Sequence, residues 1–140
     1  MMIDSIRTFL KSCPYLKNGR INVDYLGPDA VRYTIDAVPA APIVKSYAGG
    51  DSLRQFVFVF ASREFYGQEV LQNIENNGFY ESFAAWLEEQ TNNGNLPQLG
   101  DGKTAQSIEA LSTGYLYDGD TDNARYQIQC RLLYHQPPLF

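Results

Sequence analysis

The sequence Leu-Arg-Gln-Phe-Val-Phe-Val-Phe-Ala-Ser-Arg, residues 53–63, decides the fold. Successive side chains of a β-strand point to opposite faces, so the three phenylalanines share one face, while the two valines and Ala61 share the other. Between Arg54 and Arg63 neither face carries a charge. Each buried phenylalanine stabilises a fold by about 1.5–3 kcal/mol. We therefore predict a central strand that is covered on both faces.

Length and composition indicate one domain. The chain has 140 residues, of which 44% are hydrophobic and 14% are aromatic. A chain of this length buries about two thirds of its unfolded surface, which makes a core without the help of disulfides. We predict a single domain spanning residues 1–140.

The charge of the chain excludes some classes of partner. The formal net charge is −5, and no cluster of Lys and Arg is present to bind phosphates, so we expect no nucleic acid as the main partner. No run approaches the roughly 18 apolar residues of a membrane span, and the first residues lack the pattern of a signal peptide. We expect no membrane partner and synthesis in the cytoplasm.

The two cysteines, Cys13 and Cys130, do not form a metal-type pair such as Cys-x-x-Cys. In a reducing compartment free thiols are the default. We predict two buried, unreactive thiols, and neither a metal nor a cofactor.

The first half of the chain predicts one helix and three strands. Apolar residues recur at helical spacing from Ile3 to Cys13, and Pro14 favours an end to that helix. Residues 21–25 and 33–37 alternate apolar with polar, which predicts two strands paired as a hairpin. Residues 43–47 predict a third strand, before the connection through Gly49 and Gly50 to the central strand.

The second half changes to helical spacing. Residues 70–74 and 79–90 predict two helical pieces that are separated by a break or kink at Asn76-Asn77-Gly78. An aromatic stripe of Phe79, Phe83 and Trp86 is expected to pack on the phenylalanine face of the central strand. The charged residues of this segment are expected in solvent: Glu81, Glu88 and Glu89.

The last third predicts a loop and two strands. Residues 91–102 are rich in turn formers, with Leu96 and Leu99 as anchors. Residues 107–117 and 124–135 predict the arms of a wide hairpin. The order of elements predicts an α+β fold, in which an antiparallel or mixed β-sheet carries helices packed on one face.

The turn of that hairpin contains Asp118, Asp120 and Asp122, the spacing at which an EF-hand loop begins. The sixth position is Asn123 instead of Gly, and the twelfth is Gln129 instead of Glu. We predict a solvated turn without a metal site.

Catalytic candidates are weak. His135 is the only histidine, and we expect it to be a surface residue at the end of the last strand. Two pairs of carboxylates, Glu64 with Glu69 and Glu88 with Glu89, are expected on exposed faces or at a helix start, where nothing raises a carboxyl pKa. We predict no catalytic residue.

Three stretches carry a family resemblance: residues 21–27, 53–64 and 124–131. They resemble small minor capsid or tail proteins encoded in the structural-gene clusters of tailed phages and prophages of Gram-positive bacteria. The similarity extends over nearly the whole chain, including Gly78-Phe79-Tyr80-Glu81 and the Asn-Leu-Pro loop around Leu96. It involves no catalytic motif.

The resemblance implies a tail-terminator-like α+β subunit that forms a ring, commonly a hexamer, and binds the phage tail tube or a head-tail connector protein within the virion. Heterologous contacts around a ring join two different surfaces. Exposure and composition suggest these interface candidates: Tyr47, Gly49, Gly50, Leu96, Leu99, Arg131, Leu139 and Phe140. The last two belong to a proline-stiffened C-terminal arm, which could lie on its own domain or on a neighbouring subunit.

Two alternatives remain. Members of this family have also been labelled chloramphenicol resistance proteins, which would make the protein a small-molecule acyltransferase. The acetyltransferase pattern requires an Asp-Gly pair two or three residues after the histidine, whereas Gln-Pro-Pro-Leu-Phe follows His135, so the general base of that pattern is missing. The other alternative is a head-proximal minor capsid protein that forms no ring.

Overall fold

The computed structural model of the protein describes residues 2–16, 21–23, 32–65, 70–119 and 123–139. Within them the chain forms two helices and a seven-stranded mixed sheet, so it has an α+β fold. The elements in chain order are α1 (Met2–Leu10), β1 (Ile21–Val23), β2 (Arg32–Ala37), β3 (Ile43–Ser46), β4 (Ser52–Phe65), α2 (Val70–Asn93), β5 (Thr104–Ala110), β6 (Tyr115–Gly119) and β7 (Asn123–Gln136).

The predicted central strand is β4. It pairs antiparallel with β7 over its whole length, from Ser52 opposite Gln136 to Phe65 opposite Asn123. The other side of β4 is shared by β2 and β3, and the other side of β7 is shared by β5 and β6. The two ends of the sheet therefore differ: β3-β4-β7-β5 lie side by side at one end, and β2-β4-β7-β6 at the other.

The prediction of a hairpin between the first two strands is wrong. Strands β1 and β2 pair in parallel, with Ile21 opposite Tyr33. Parallel neighbours cannot be joined by a tight turn, because the chain must return to the same end of the sheet. Alternation placed Ile21, Tyr33 and Ile35 correctly in the core, but Val23 is 39% exposed and Thr34 is fully buried, so each apolar face was predicted only in part. Alternation also carries no information on strand direction.

The core lies between the helices and one face of the sheet. Phe60 of β4 stacks on Phe83 of α2 with ring centroids 4.5 Å apart, and Phe79 stacks on Tyr33 of β2 at 6.2 Å. The two helices meet where Phe9 approaches Trp86 at 5.2 Å. These contacts confirm the predicted packing of the aromatic stripe on the phenylalanine face.

Helix α2 is continuous through Asn76-Asn77-Gly78, so the predicted break is wrong. Asn76 is buried and helical, and burial of Tyr80, Phe83 and Leu87 in the following turns outweighs the weak helix preference of the run. The predicted first arm of the C-terminal hairpin is instead divided into β5 and β6, separated by residues 111–114.

Burial of β4 is not uniform along the strand. Phe58 to Ala61 are buried, but Phe56 and Val57 are half-buried.

Candidate functional site: two apolar edges of the sheet

The first exposed apolar surface is the β3 edge, which we define as residues 39–50. All twelve of its residues are exposed. Ile43, Val44 and Tyr47 are 46%, 48% and 40% exposed, although β-branched and aromatic residues of a strand usually pack against a neighbour. Strand β3 pairs with only the first residues of β4. Its apolar side chains therefore lie at the border of the sheet and stay exposed within the described part of the protein.

The turn that follows β3 brings Gly50, a predicted interface residue, next to the C-terminal arm. Gly50 adopts a positive φ of 90°, and its N–H donates to the carbonyl of Tyr47 at 3.1 Å. A Cβ on Gly50 would lie 3.4 Å from Pro138. The C-terminal arm thus lies on its own domain as far as Pro138, and Leu139 is 66% exposed. Phe140 lies outside the described residues.

His135 is held by an acid. Its Nε2 lies 2.7 Å from Oδ2 of Asp51, and the two side chains are 33% and 30% exposed. The hydrogen bond from His135 lowers the pKa of Asp51 below its usual value. Strand pairing produces this contact, because β4 begins at the same end of the sheet at which β7 ends. No sequence pattern indicates this contact, because the two residues lie 84 positions apart.

An acid and a histidine in this arrangement can orient a general base. Acyl transfer through a serine or cysteine would also require that nucleophile to be hydrogen-bonded to the imidazole. Within the described part of the chain, Asp51 is the only side chain hydrogen-bonded to His135. Both thiols are free and buried, and burial raises the pKa of Cys13 and of Cys130, as expected for unreactive cysteines.

The second exposed apolar surface is the β5–β6 edge, on the opposite side of the sheet. Its large apolar residues are Leu111, Leu116 and Tyr117, which are 46%, 42% and 63% exposed. The guanidinium of Arg125 lies 5.2 Å from the centre of the Tyr117 ring. No signal in the sequence distinguished these residues from the covered residues of the same arm.

A groove of about 610 Å³ lies between α2 and β5. We call it the α2–β5 groove. Its lining includes small side chains, among them Ala84, Ala85 and Ala110, and the exposed acids Glu81 and Glu88. No Lys or Arg is among the described residues that line it.

Thr91 closes the middle of the β5 edge. Its Oγ1 donates to the carbonyl of Ile108 at 2.8 Å and accepts from the N–H of Ile108 at 3.1 Å. An open strand edge can pair with another chain. At Ile108 the helix satisfies both backbone groups, so this point of the edge cannot take a further strand.

The sheet face turned away from the helices mixes polar and charged side chains with the apolar Val57 and Val59 of β4. Arg125 forms an ion pair with Asp36 at 2.9 Å, and Gln127 donates to the hydroxyl of Tyr115 at 2.6 Å. Arg131, an interface candidate, lies on this face opposite Val57 and pairs with Glu109. Leu96 and Leu99 are half-buried against the core, which confirms their prediction as anchors of the loop.

The two pairs of carboxylates that the sequence suggested differ in their exposure. Glu88 and Glu89 are exposed as predicted. The expectation of an exposed Glu64 is wrong: it is 1% exposed, because it follows Phe60 and Ser62 on the face that α2 covers. Glu69 lies outside the described residues.

Metal and membrane signals are absent from the described residues. They contain no group of three or more His, Cys, Asp or Glu side chains that could hold a metal ion. Asp120 and Asp122 of the predicted turn lie outside them. No helix in the described ranges is both long and apolar enough to span a bilayer.

Comparison with known proteins adds no relative. No protein-family model matches the sequence, and no curated protein matches it significantly. The expectations drawn from the resemblance to phage tail proteins therefore rest on the sequence alone.

Proposed function

We propose that this protein is a structural component of a phage particle, a tail terminator or head-tail joining protein, which acts by binding copies of itself head to tail. The observation that carries the proposal is the pair of apolar edges on opposite sides of one sheet. Exposed apolar residues clustered in this way are typical of protein interaction sites.

The positions of the two edges favour a heterologous contact. A two-fold dimer pairs a surface with itself, so a dimer through the β3 edge would leave the β5–β6 edge exposed. A head-to-tail contact buries both edges in every copy, and it closes into a ring when the rotation between copies allows it. This arrangement agrees with the ring that the family resemblance implies.

The remaining surfaces are available for other components of the virion. Leu139 is 66% exposed beside the turn at Gly50, so the C-terminal arm is a candidate contact with the tail tube or connector. The sheet face around Arg125 and Arg131 carries charges that are already paired within the chain. Paired charges gain little from a further partner, so that face is left in solvent.

The test of the proposal disrupts one edge at a time. Val44→Asp alters the β3 edge, and Leu116→Asp alters the β5–β6 edge. Each variant alone is expected to remain a monomer under conditions in which the parent protein forms multimers, measured by light scattering and sedimentation. Tyr15→Asp is the matched control, because Tyr15 is 48% exposed outside both edges.

Mixing the two variants identifies the kind of contact. Val44→Asp retains the β5–β6 edge and Leu116→Asp retains the β3 edge, so the mixture is expected to form a heterodimer and nothing larger. A contact of each edge with itself predicts no heterodimer. A parent protein that stays monomeric at all concentrations, and with tail tube protein added, would contradict the proposal.

The acyltransferase is the second candidate, and the contact of His135 with Asp51 is the observation in its favour. It predicts transfer of an acetyl group from acetyl-CoA to a drug hydroxyl, which His135→Gln would abolish. Absence of transfer by the parent protein removes this candidate. A head-proximal capsid protein that forms no ring would join the capsid as a monomer, without the heterodimer described above.

A further inference from the structure

We infer that the α2–β5 groove of one copy receives the β3 edge of the next copy, with Lys45 placed between Glu81 and Glu88. The inference rests on the proposed head-to-tail assembly. It places the β3 edge in the groove that adjoins the β5–β6 edge at Ser112, Thr113 and Gly114, and it names the charges that meet there.

The chemistry of the groove selects its occupant. Its lining includes Ala84, Ala85 and Ala110, whose small side chains leave room for the side chains of a partner. Glu81 and Glu88 are exposed and lie seven residues apart on α2, which is two helical turns or about 10 Å. A segment with moderate apolar side chains and a single positive charge is complementary to this lining.

The β3 edge has that composition. Between Ala37 and Gly50 the only charged residue is Lys45. Around it lie Ile43, Val44 and Tyr47, all exposed. The ammonium of Lys45 lies 5.4 Å from the centre of the Tyr47 ring, a surface cation–π contact of modest strength that leaves the charge free to approach carboxylates.

The contact can form only between copies. Strands β3 and β5 occupy opposite borders of the β3-β4-β7-β5 end of the sheet. Three strand spacings separate them, about 14 Å, with β4 and β7 between. The β3 edge therefore cannot enter the groove of its own chain.

Thr91 determines the manner of docking. Because Thr91 already bonds both backbone groups of Ile108, the incoming segment cannot add as a continuous strand along β5. The contact is made by side chains, with apolar groups over the alanines and Lys45 at the acidic rim. Charge complementarity of this kind sets the register of a contact.

The first experiment reverses charges in the parent protein. Glu88→Lys and Lys45→Glu are each expected to weaken self-association about tenfold, and their combination is expected to restore it. Glu89→Lys is the matched control, because Glu89 is exposed next to Glu88 but does not line the groove. Ala85→Trp, which fills the groove without a change of charge, is also expected to weaken association.

The second experiment is a cross-link. A protein carrying both Lys45→Cys and Glu88→Cys is expected to form a ladder of disulfide-linked multimers on mild oxidation. The native thiols are buried at 5% and 0% exposure, so they give no background. A link between Lys45→Cys and Glu89→Cys is expected to be much weaker.

The outcomes separate this inference from the proposed function. If the parent multimerises, but Glu88→Lys behaves as Glu89→Lys and no ladder forms, the groove contact is overturned while self-association stands. If the parent stays monomeric and the groove variants bind a basic peptide of another protein less well, the second copy is the wrong occupant. Rescue in the double charge reversal, together with the ladder, supports the contact.

Discussion

The backbone of Gly114 lies against the side chain of Tyr80, so closely that a Cβ on Gly114 would clash with Cβ and Cγ of the tyrosine, the latter at 2.5 Å. Tyr80 is 1% exposed, and it is fixed from the other side by the sheet. This close contact joins the segment between β5 and β6 to the middle of α2. Tyr80 and Gly114 both line the α2–β5 groove.

Gly114→Ala is expected to destabilise the protein by about 1–3 kcal/mol, because the added methyl group forces the backbone or Tyr80 to move. Urea unfolding followed by circular dichroism measures the change. The matched control is Gly78→Ala within α2, where a Cβ meets nothing within 4 Å. It is expected to stabilise the protein by about 0.5–1 kcal/mol. A neutral Gly114→Ala would contradict the close packing.

Tyr80→Phe is expected to cost about 1–3 kcal/mol of folding stability, because a buried hydroxyl network loses its centre. The Tyr80 hydroxyl lies 2.6 Å from Oγ of Ser62 and donates to the carbonyl of Tyr126 at 2.9 Å. Burial raises the pKa of Tyr80 well above its usual value, and nearby Glu64 adds to this, so the hydroxyl keeps its proton. A double-mutant cycle with Ser62→Ala should give a coupling of about 1 kcal/mol; additive effects would refute the network.

Thr91→Val is expected to cost about 1–3 kcal/mol, because it leaves the N–H and carbonyl of Ile108 without their side-chain partner at the sheet border. Amide hydrogen exchange at Ile108 should become faster. Thr91→Ser keeps the hydroxyl and serves as the control, with exchange close to that of the parent. Equal amide exchange rates at Ile108 in Thr91→Val and Thr91→Ser would show that the hydrogen bonds of the Thr91 hydroxyl do not protect this edge.

The contact of Asp51 with His135 predicts a pH dependence. The pKa of Asp51 is lowered in the folded protein, so its contribution to stability is fully present above the unfolded pKa near 4 and is lost as the pH falls through the lower folded value. Asp51→Asn is therefore expected to lower stability at pH 7 and to approach the parent at lower pH. Urea unfolding between pH 7 and pH 3 measures the difference, with Asp101→Asn on an exposed turn as the control. A difference in unfolding free energy between parent and Asp51→Asn that stays constant from pH 7 to pH 3 would argue against the lowered pKa of Asp51.

Patterns within single elements predicted much of the fold correctly. Residues 53–63 identified β4, and the aromatic stripe of α2 identified its partner face, because alternation and helical spacing depend only on neighbouring residues. The break at Gly78 was predicted wrongly for the same reason: a local preference of about 1 kcal/mol is outweighed by packing along the rest of the helix.

The candidate site was only partly predictable. Tyr47, Gly49, Gly50 and Leu139 were proposed from composition and exposure. The structure places the first three in the turn after β3, and Pro138, which precedes Leu139, lies against Gly50. Leu111, Leu116 and Tyr117 were missed, because exposure at a border depends on which strand lies outermost. The burial of Glu64 was missed because it depends on where α2 lies.

The sequence by itself determined that this chain has a central strand with a buried middle, one helix with an aromatic stripe, and an acidic, cysteine-poor composition. Each of these properties is local, since it follows from residue type and spacing. Only the tertiary structure decided the parallel pairing of β1 with β2, the contact of Asp51 with His135 and the placement of two apolar edges on opposite sides of the sheet. Those depend on strand order and direction, which join residues more than 80 positions apart, such as Asp51 and His135 at 84, and leave no periodic trace in the chain.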